Sequence, residues 1–235
     1  MNIHFIIHES FEAPGAIEIW AKRKSHPISF TNVYRYEKYP ETVEDIDMLI
    51  VMGGPQSPET TLEECPYFNT EAEMNFIRKA IDADKKVLGV CLGAQMIGEA
   101  FGAKVERSPN REIGVYDIIL TNEAKDEPFF STLPQTFPSG HWHGDMPGLT
   151  SDAKVLAFSE GCPTQIVKFT PKVYGFQCHL EFTSETIKAM IENSGDEIIQ
   201  NIHLPFVQTS EELLEYNYSE MNKILYQFLD YFESI

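Results

Sequence analysis

Cys91 lies between Gly89 and Gly93 in "KVLGVCLGAQMIGEAFGAKV", residues 86–105. An apolar run ends at this cysteine and a small-residue helical pattern starts at once. Gly-x-Cys-x-Gly at a strand-to-helix break has the form of a nucleophile elbow. Small residues two before and two after the turn let strand and helix pass closely, so the side chain stands clear of the sheet. The N-terminus of the following helix points at the sulfur and favours the thiolate, the reactive form. A cysteine is ordinarily a small apolar filler, but the flanking glycines and the abrupt break favour a nucleophile.

A cysteine nucleophile needs a base. Of the seven histidines, His179 is the best placed: it ends the apolar stretch "KVYGFQCHLE", with Glu181 two residues on. A carboxylate beside an imidazole holds its tautomer and stabilises the imidazolium, the third role in a Cys-His-acid triad. Cys178 would face away from His179 on a strand and reads as packing. In "SGHWHGD", residues 139–145, His141 and His143 would share one strand face. With Asp145 they would offer two imidazoles and a carboxylate to a metal. No second cluster of matching spacing accompanies them, so no metal is expected, and Trp142 reads as core or pocket wall.

These groups need elements to position them. Residues 2–8, 28–36, 45–54 and 86–90 read as strands, the third a near-continuous apolar run closed by Gly53 and Gly54. Helical patterns at 14–24, 69–85 and from Leu92 alternate with them. This rhythm predicts an α/β fold, three-layered and flavodoxin-like, with about seven strands in a mostly parallel sheet and helices on both faces. Ligands in such sheets bind beyond the carboxyl ends of the strands, where Gly53, Gly54 and Cys91 fall. The short strands at 111–121, 154–160, 164–170 and 172–181 predict a small antiparallel element, with a hairpin at Pro171-Lys172 that carries His179. Residues 209–232 read as one long helix, started by Ser210 and Glu211. Its Tyr and Phe residues form one face that packs in cis or, alternatively, makes a homodimer. A single domain over 1–235 is expected.

Composition narrows the class. The net charge of −18, from 36 acidic and 18 basic residues, repels a phosphate backbone, so nucleic acid is not an expected partner. The N-terminal "MNIHFIIHES" is too short for a signal-peptide core or a membrane span. Four cysteines without CxxC spacing fit a reducing compartment, and a cytoplasmic protein is expected.

"VMGGPQSP", "GVCLGAQMIGEAFGAKV" and "YGFQCHLEFT", in this order, resemble the class I (triad) glutamine amidotransferases, most closely the stand-alone, GMP-synthase-like branch. The resemblance covers about residues 40–190. It implies that Cys91 attacks the side-chain amide of L-glutamine, with His179 as base and acid and Glu181 orienting it. Backbone N–H groups of Gly54 and Leu92 would form the oxyanion hole. Gly53 and Gln95 would help hold the substrate, and His143 and Asp145 would meet its amino-acid end. No cofactor is implied. Ala94 stands where many members have His, and Leu180 where many have Pro, which leaves the biosynthetic partner open. No GxxxxGK(S/T) P-loop is present. The released ammonia would therefore go to a separate synthetase subunit. Alternatively the chain is a γ-glutamyl peptidase or hydrolase acting on another γ-glutamyl compound, or a non-enzymatic binding module.

Overall fold

The computed structural model describes every residue from Met1 to Ile235. Its strands are β1 (Ile3–Ile7), β2 (Ile28–Asn32), β3 (Met48–Val51), β4 (Lys86–Val90), β5 (Glu106–Leu120), β6 (Thr136–Met146), β7 (Lys154–Phe158), β8 (Ile166–Thr170) and β9 (Val173–Phe176). Its helices are α1 (Ala16–Arg23), α2 (Thr70–Asp82), α3 (Leu92–Ala100), α4 (Ser184–Asn201), α5 (Ser210–Glu215) and α6 (Ser219–Ser234).

All nine strands form one sheet in the order β2-β1-β3-β4-β9-β8-β7-β5-β6. The first five are mutually parallel, in the flavodoxin-like order. Each later neighbour joins antiparallel, so β7 and β6 again point with the parallel set, and seven of nine strands share a direction. The sheet is larger than the seven or so strands expected, because β5 and β6 pair along most of their length and widen its edge.

Continuous apolar sequence in β1, β3 and β4 follows from burial on both faces. Phe5, Ile50 and Leu88 face one hydrophobic layer with α1 and α6, while Ile6, Val51 and Val87 face another with α2 and α3. Asn69 caps α2 through its side chain, which accepts from the Ala72 N–H. Thr183 starts α4 in a capping box with Thr186.

Two sequence expectations change. The stretch 28–36 is extended only to Asn32; a turn of 3-10 helix follows, and Tyr36 takes φ 60°. The long helix 209–232 is broken into α5 and α6. Thr209, not Ser210, is its N-cap, in a capping box with Glu212. The break falls at Tyr216–Tyr218, where the Tyr218 hydroxyl donates to the Leu213 carbonyl (2.6 Å) and the Asn217 side chain accepts from the Ser219 N–H (3.1 Å). These bonds bury Tyr218, which a continuous helix would point elsewhere. The aromatic face of α6 packs in cis: Phe228 and Phe232 are fully buried against Tyr174. No helix is long and apolar enough to cross a membrane.

Candidate active site

Strand β4 delivers Cys91 to the carboxyl edge of the sheet, and α3 begins at the next residue. Cys91 has φ 52°, ψ −111°, a conformation that non-glycine residues rarely take. Its backbone N–H is tied to the Phe176 carbonyl at 2.7 Å, which holds the strained turn against β9. The glycines do what the elbow requires. A Cβ on Gly89 would lie 2.3 Å from the Gly93 oxygen, and one on Gly93 would lie 2.0 Å from the Val51 oxygen.

His179 follows β9, three residues past its end at Phe176. Its backbone exchanges hydrogen bonds with Gly140 of β6, N to O at 2.8 Å and O from N at 2.9 Å. Glu181 stands 2.6 Å from Nδ1, and the Phe182 ring stacks on the imidazole, 4.2 Å between centroids and 10° from parallel. Gly140 makes room for that stack, since a Cβ there would strike Phe182 at 2.4 Å. Nε2 of His179 has no other protein partner, and the imidazole neighbours Cys91. Burial disfavours charge on this ring, but Glu181 and the Cys91 contact outweigh it and raise the pKa to about 10.

Gly53 and Gly54 follow β3 and lie beside the cysteine. A Cβ on Gly53 would be 3.5 Å from the Cys91 Cβ and 3.6 Å from the His179 ring. The Gly54 N–H makes no hydrogen bond within the protein. Leu92 is the first residue of α3, so its N–H has no intrahelical acceptor. Gln95 donates to Gln177 (3.0 Å), and Gln177 donates to the Cys91 sulfur (3.4 Å). The Cys91 thiol also faces the Trp142 carbonyl at 3.8 Å.

A cavity of about 440 Å³ opens over Cys91, bordered by Gly54, Leu92, Gln95, His143 and Asp145. That volume suits a small molecule. The Asp145 carboxylate pairs with Arg107 (2.7 Å), and the Trp142 indole N–H donates to Glu197 of α4 (2.7 Å), which also pairs with Arg111. The rim is therefore charged and polar. Trp142 does line the cavity, and Cys178 is fully buried, with its thiol pushed up by burial to about 12. Asp145 does not join His141 and His143 as a cluster; the carboxylate beside both imidazoles is Glu112 of β5.

Two further residues that no sequence pattern singles out border the site. Glu12 lines the cavity and packs against Gly53, and burial raises its carboxyl to about 7. His8 is fully buried, with Nδ1 3.0 Å from the Gly53 carbonyl and Nε2 3.0 Å from both Glu73 oxygens. Burial alone would lower the His8 pKa; Glu73 and the Gly53 carbonyl outweigh it and raise the value. Both residues follow β1, at the carboxyl edge where such folds place ligands.

Residues 20–198 match the family described as glutamine amidotransferase class-I. The glutamine amidotransferase-like protein YfeJ of Salmonella typhimurium is 48% identical over 98% of this chain and 96% of its own length. One subunit of the glutamine-hydrolysing GMP synthase of Methanococcus vannielii is 33% identical over 66% of this chain and 72% of its own. A GMP synthase of Borrelia garinii subsp. bavariensis is 28% identical over 89% of this chain, which spans only 36% of that relative's length. Among solved structures, SMU.1228c is 52% identical with a TM-score of 0.96, covering 99% of this chain and all of that one.

Proposed function

The chain belongs to the class I glutamine amidotransferase family, and on that premise we propose that it hydrolyses the side-chain amide of L-glutamine through a γ-glutamyl thioester on Cys91. One observation carries this reading: a strained Cys91 neighbours the His179 imidazole, whose Nε2 makes no hydrogen bond and whose Nδ1 is held by Glu181 at 2.6 Å.

In this reading His179, with its raised pKa, already holds the thiol proton, and the Cys91 thiolate attacks the amide carbon. The developing oxyanion accepts from the N–H groups of Gly54 and Leu92, which have no acceptor in the protein. His179 then gives its proton to the leaving nitrogen, and ammonia departs. A water molecule, deprotonated by His179, attacks the thioester and releases glutamate and the free thiol. Glu181 stabilises the imidazolium throughout. Gly53 and Gln95 border the substrate's side chain, and His143 and Asp145 its amino-acid end. The likeness to one subunit of a glutamine-hydrolysing GMP synthase supports delivery of ammonia to a separate acceptor enzyme.

A second reading, a γ-glutamyl peptidase or hydrolase, draws support from the rim. Arg107 and Arg111 border the same cavity and would meet the carboxylates of a peptide leaving group. The chemistry is the same up to the thioester. Release of ammonia and glutamate from L-glutamine, beside cleavage of γ-glutamyl-cysteinyl-glycine, separates the two, with Cys91→Ser as control. Turnover of glutamine that survives Cys91→Ser would sink both.

A further inference from the structure

Glu112, His141 and His143 form a second cluster of chemistry-bearing side chains, and the thioester mechanism uses neither Glu112 nor His141. In the β5–β6 ladder Glu112 lies opposite His143, and Gly114 lies opposite His141. The three side chains therefore project from one face of the ladder. All three are buried, and their ligand atoms lie within 4.8 Å of one another.

The polar accounting inside this cluster does not close. His143 Nδ1 is 3.1 Å from the Asp145 carbonyl, an acceptor only, so Nδ1 carries a proton. In the neutral ring Nε2 is then a lone pair 3.2 Å from a Glu112 carboxylate oxygen, and the Gln165 amide, 2.7 Å from that oxygen and 3.3 Å from Nε2, is the one donor beside both. His141 is completely buried, and neither of its ring nitrogens makes a hydrogen bond. Its Nδ1 is 3.5 Å from the same Glu112 oxygen. No lysine or arginine pairs with Glu112. Gln165 donates to that oxygen at 2.7 Å, while its own buried Oε1 has no partner.

We propose that Glu112, His141 and His143 hold one divalent transition-metal ion, with Zn2+ the best match. Two imidazoles and a carboxylate are a borderline donor set suited to zinc. Tetrahedral ligands ~2.0–2.1 Å from zinc stand roughly 3.3–3.4 Å from one another. The 3.2 and 3.5 Å separations from Glu112 to the two histidines bracket that value. Three protein ligands leave the fourth position to a water molecule. A proton on His143 leaves the buried ring nitrogens of His141 without partners. The contacts that orient such ligands are already in place: the Asp145 carbonyl fixes the His143 tautomer, and Ser159 donates to the other Glu112 oxygen at 2.7 Å. A cavity of about 220 Å³ lies against Glu112, with Asp117 and Glu160 on its wall. The ion would tie β5 to the stretch of β6 that carries Gly140, Trp142 and Asp145, and so brace the wall of the cavity over Cys91.

The test uses the full chain, stripped with a chelator and titrated with Zn2+ by calorimetry. A parallel titration with Co2+ reports tetrahedral nitrogen and oxygen ligation through its visible bands. One saturable equivalent is expected, unchanged in Cys91→Ser, which separates this site from the cysteine. Glu112→Gln and His141→Ala are each expected to weaken binding by ~100-fold or more, since losing a residue that merely orients a ligand already costs about 10–100-fold. Zn2+ should raise the unfolding temperature of the parent and not of these variants. If Glu112→Gln does not fold, His141→Ala decides alone, because its ring nitrogens hold no close hydrogen bond. Absence of a saturable equivalent, binding unchanged in His141→Ala, or binding lost in Cys91→Ser would each overturn the proposal.

Discussion

His8 Nδ1 donates to the Gly53 carbonyl at 3.0 Å, and that same peptide unit carries the Gly54 N–H. No peptide in the chain is cis, so carbonyl and N–H point in opposite directions. Under the proposed mechanism, His8 would hold that N–H toward the oxyanion by holding the oxygen on the other side of the peptide. Glu73 holds the far nitrogen of His8, and Tyr39 donates to Glu73 at 2.7 Å. His8 is therefore a positioning residue under the proposed mechanism. His8→Leu should lower kcat by ~10–100-fold, less than outright loss of an oxyanion donor, with KM little changed. His8→Asn places an amide N–H near the Nδ1 position and should recover most of kcat. Both variants leave the buried Glu73 without its imidazole, with only Tyr39 still donating to it, and should lose stability alike. Equal kcat in the two variants would reduce His8 to a structural role.

The elbow makes a stability prediction of its own. Gly93→Ala brings a Cβ to 2.0 Å from the Val51 carbonyl, and neither backbone can move without opening the sheet. The expected loss is about 3 kcal/mol or more, at or beyond the usual range for overpacking. Gly102 is the control. It has φ 84° but nothing within 4 Å of a new Cβ, so Gly102→Ala should cost only the left-handed strain of about 1–2 kcal/mol. Denaturant unfolding of the two variants compares them directly; equal losses would show that φ, and not the close approach, governs both sites.

Much of this is legible in the chain because local chemistry and local geometry coincide there. The Gly89–Cys91–Gly93 spacing announces a strand-to-helix turn, and the apolar runs at 45–54 and 86–90 announce buried parallel strands. His8, Glu12 and Glu112 are not legible. Each acts through a neighbour far away in sequence, Gly53 for the first two and His141 and His143 for the third, and no periodicity carries such pairings. Sequence alone groups Asp145 with His141 and His143, because it is near them and alternates correctly. The ladder instead places Glu112 opposite His143 and turns the Asp145 carboxylate to Arg107. The break between α5 and α6 is hidden for a related reason, since it depends on where the Tyr218 hydroxyl finds its acceptor.

Glu12 gives a pH dependence with a definite sign. Burial raises its carboxyl from the ordinary value of 4.5 to about 7. Between these two values the folded state holds a proton that the unfolded state has lost. Stability is therefore greatest below pH 4.5 as far as this group is concerned, and falls as pH rises toward 7. Glu12→Gln removes that dependence. The variant's unfolding temperature relative to the parent should climb from acid pH to neutrality and level off above it. A difference that stays constant with pH would show that Glu12 titrates as an ordinary surface carboxylate.

The Arg107–Asp145 pair distinguishes two ways of reading the cavity rim. The Arg107 side chain is 82% exposed and that of Asp145 only 19%, so the pair is screened and adds little to stability. Arg107→Ala should shift the unfolding free energy by no more than about 0.5 kcal/mol. Its effect on substrate is a separate matter. If Asp145 receives the amino group of glutamine, Arg107 competes with the substrate for that carboxylate. Removing the arginine then lowers KM, and Asp145→Asn raises it, while kcat changes little because neither group touches the reacting amide. If Arg107 instead binds a carboxylate of a larger γ-glutamyl substrate, Arg107→Ala raises KM for γ-glutamyl-cysteinyl-glycine and leaves Asp145 occupied or not with the same result. Steady-state constants for both substrates, measured on Arg107→Ala and Asp145→Asn, decide between the two: a fall in KM for glutamine assigns the rim to the amino acid, and a rise for the peptide assigns it to the leaving group.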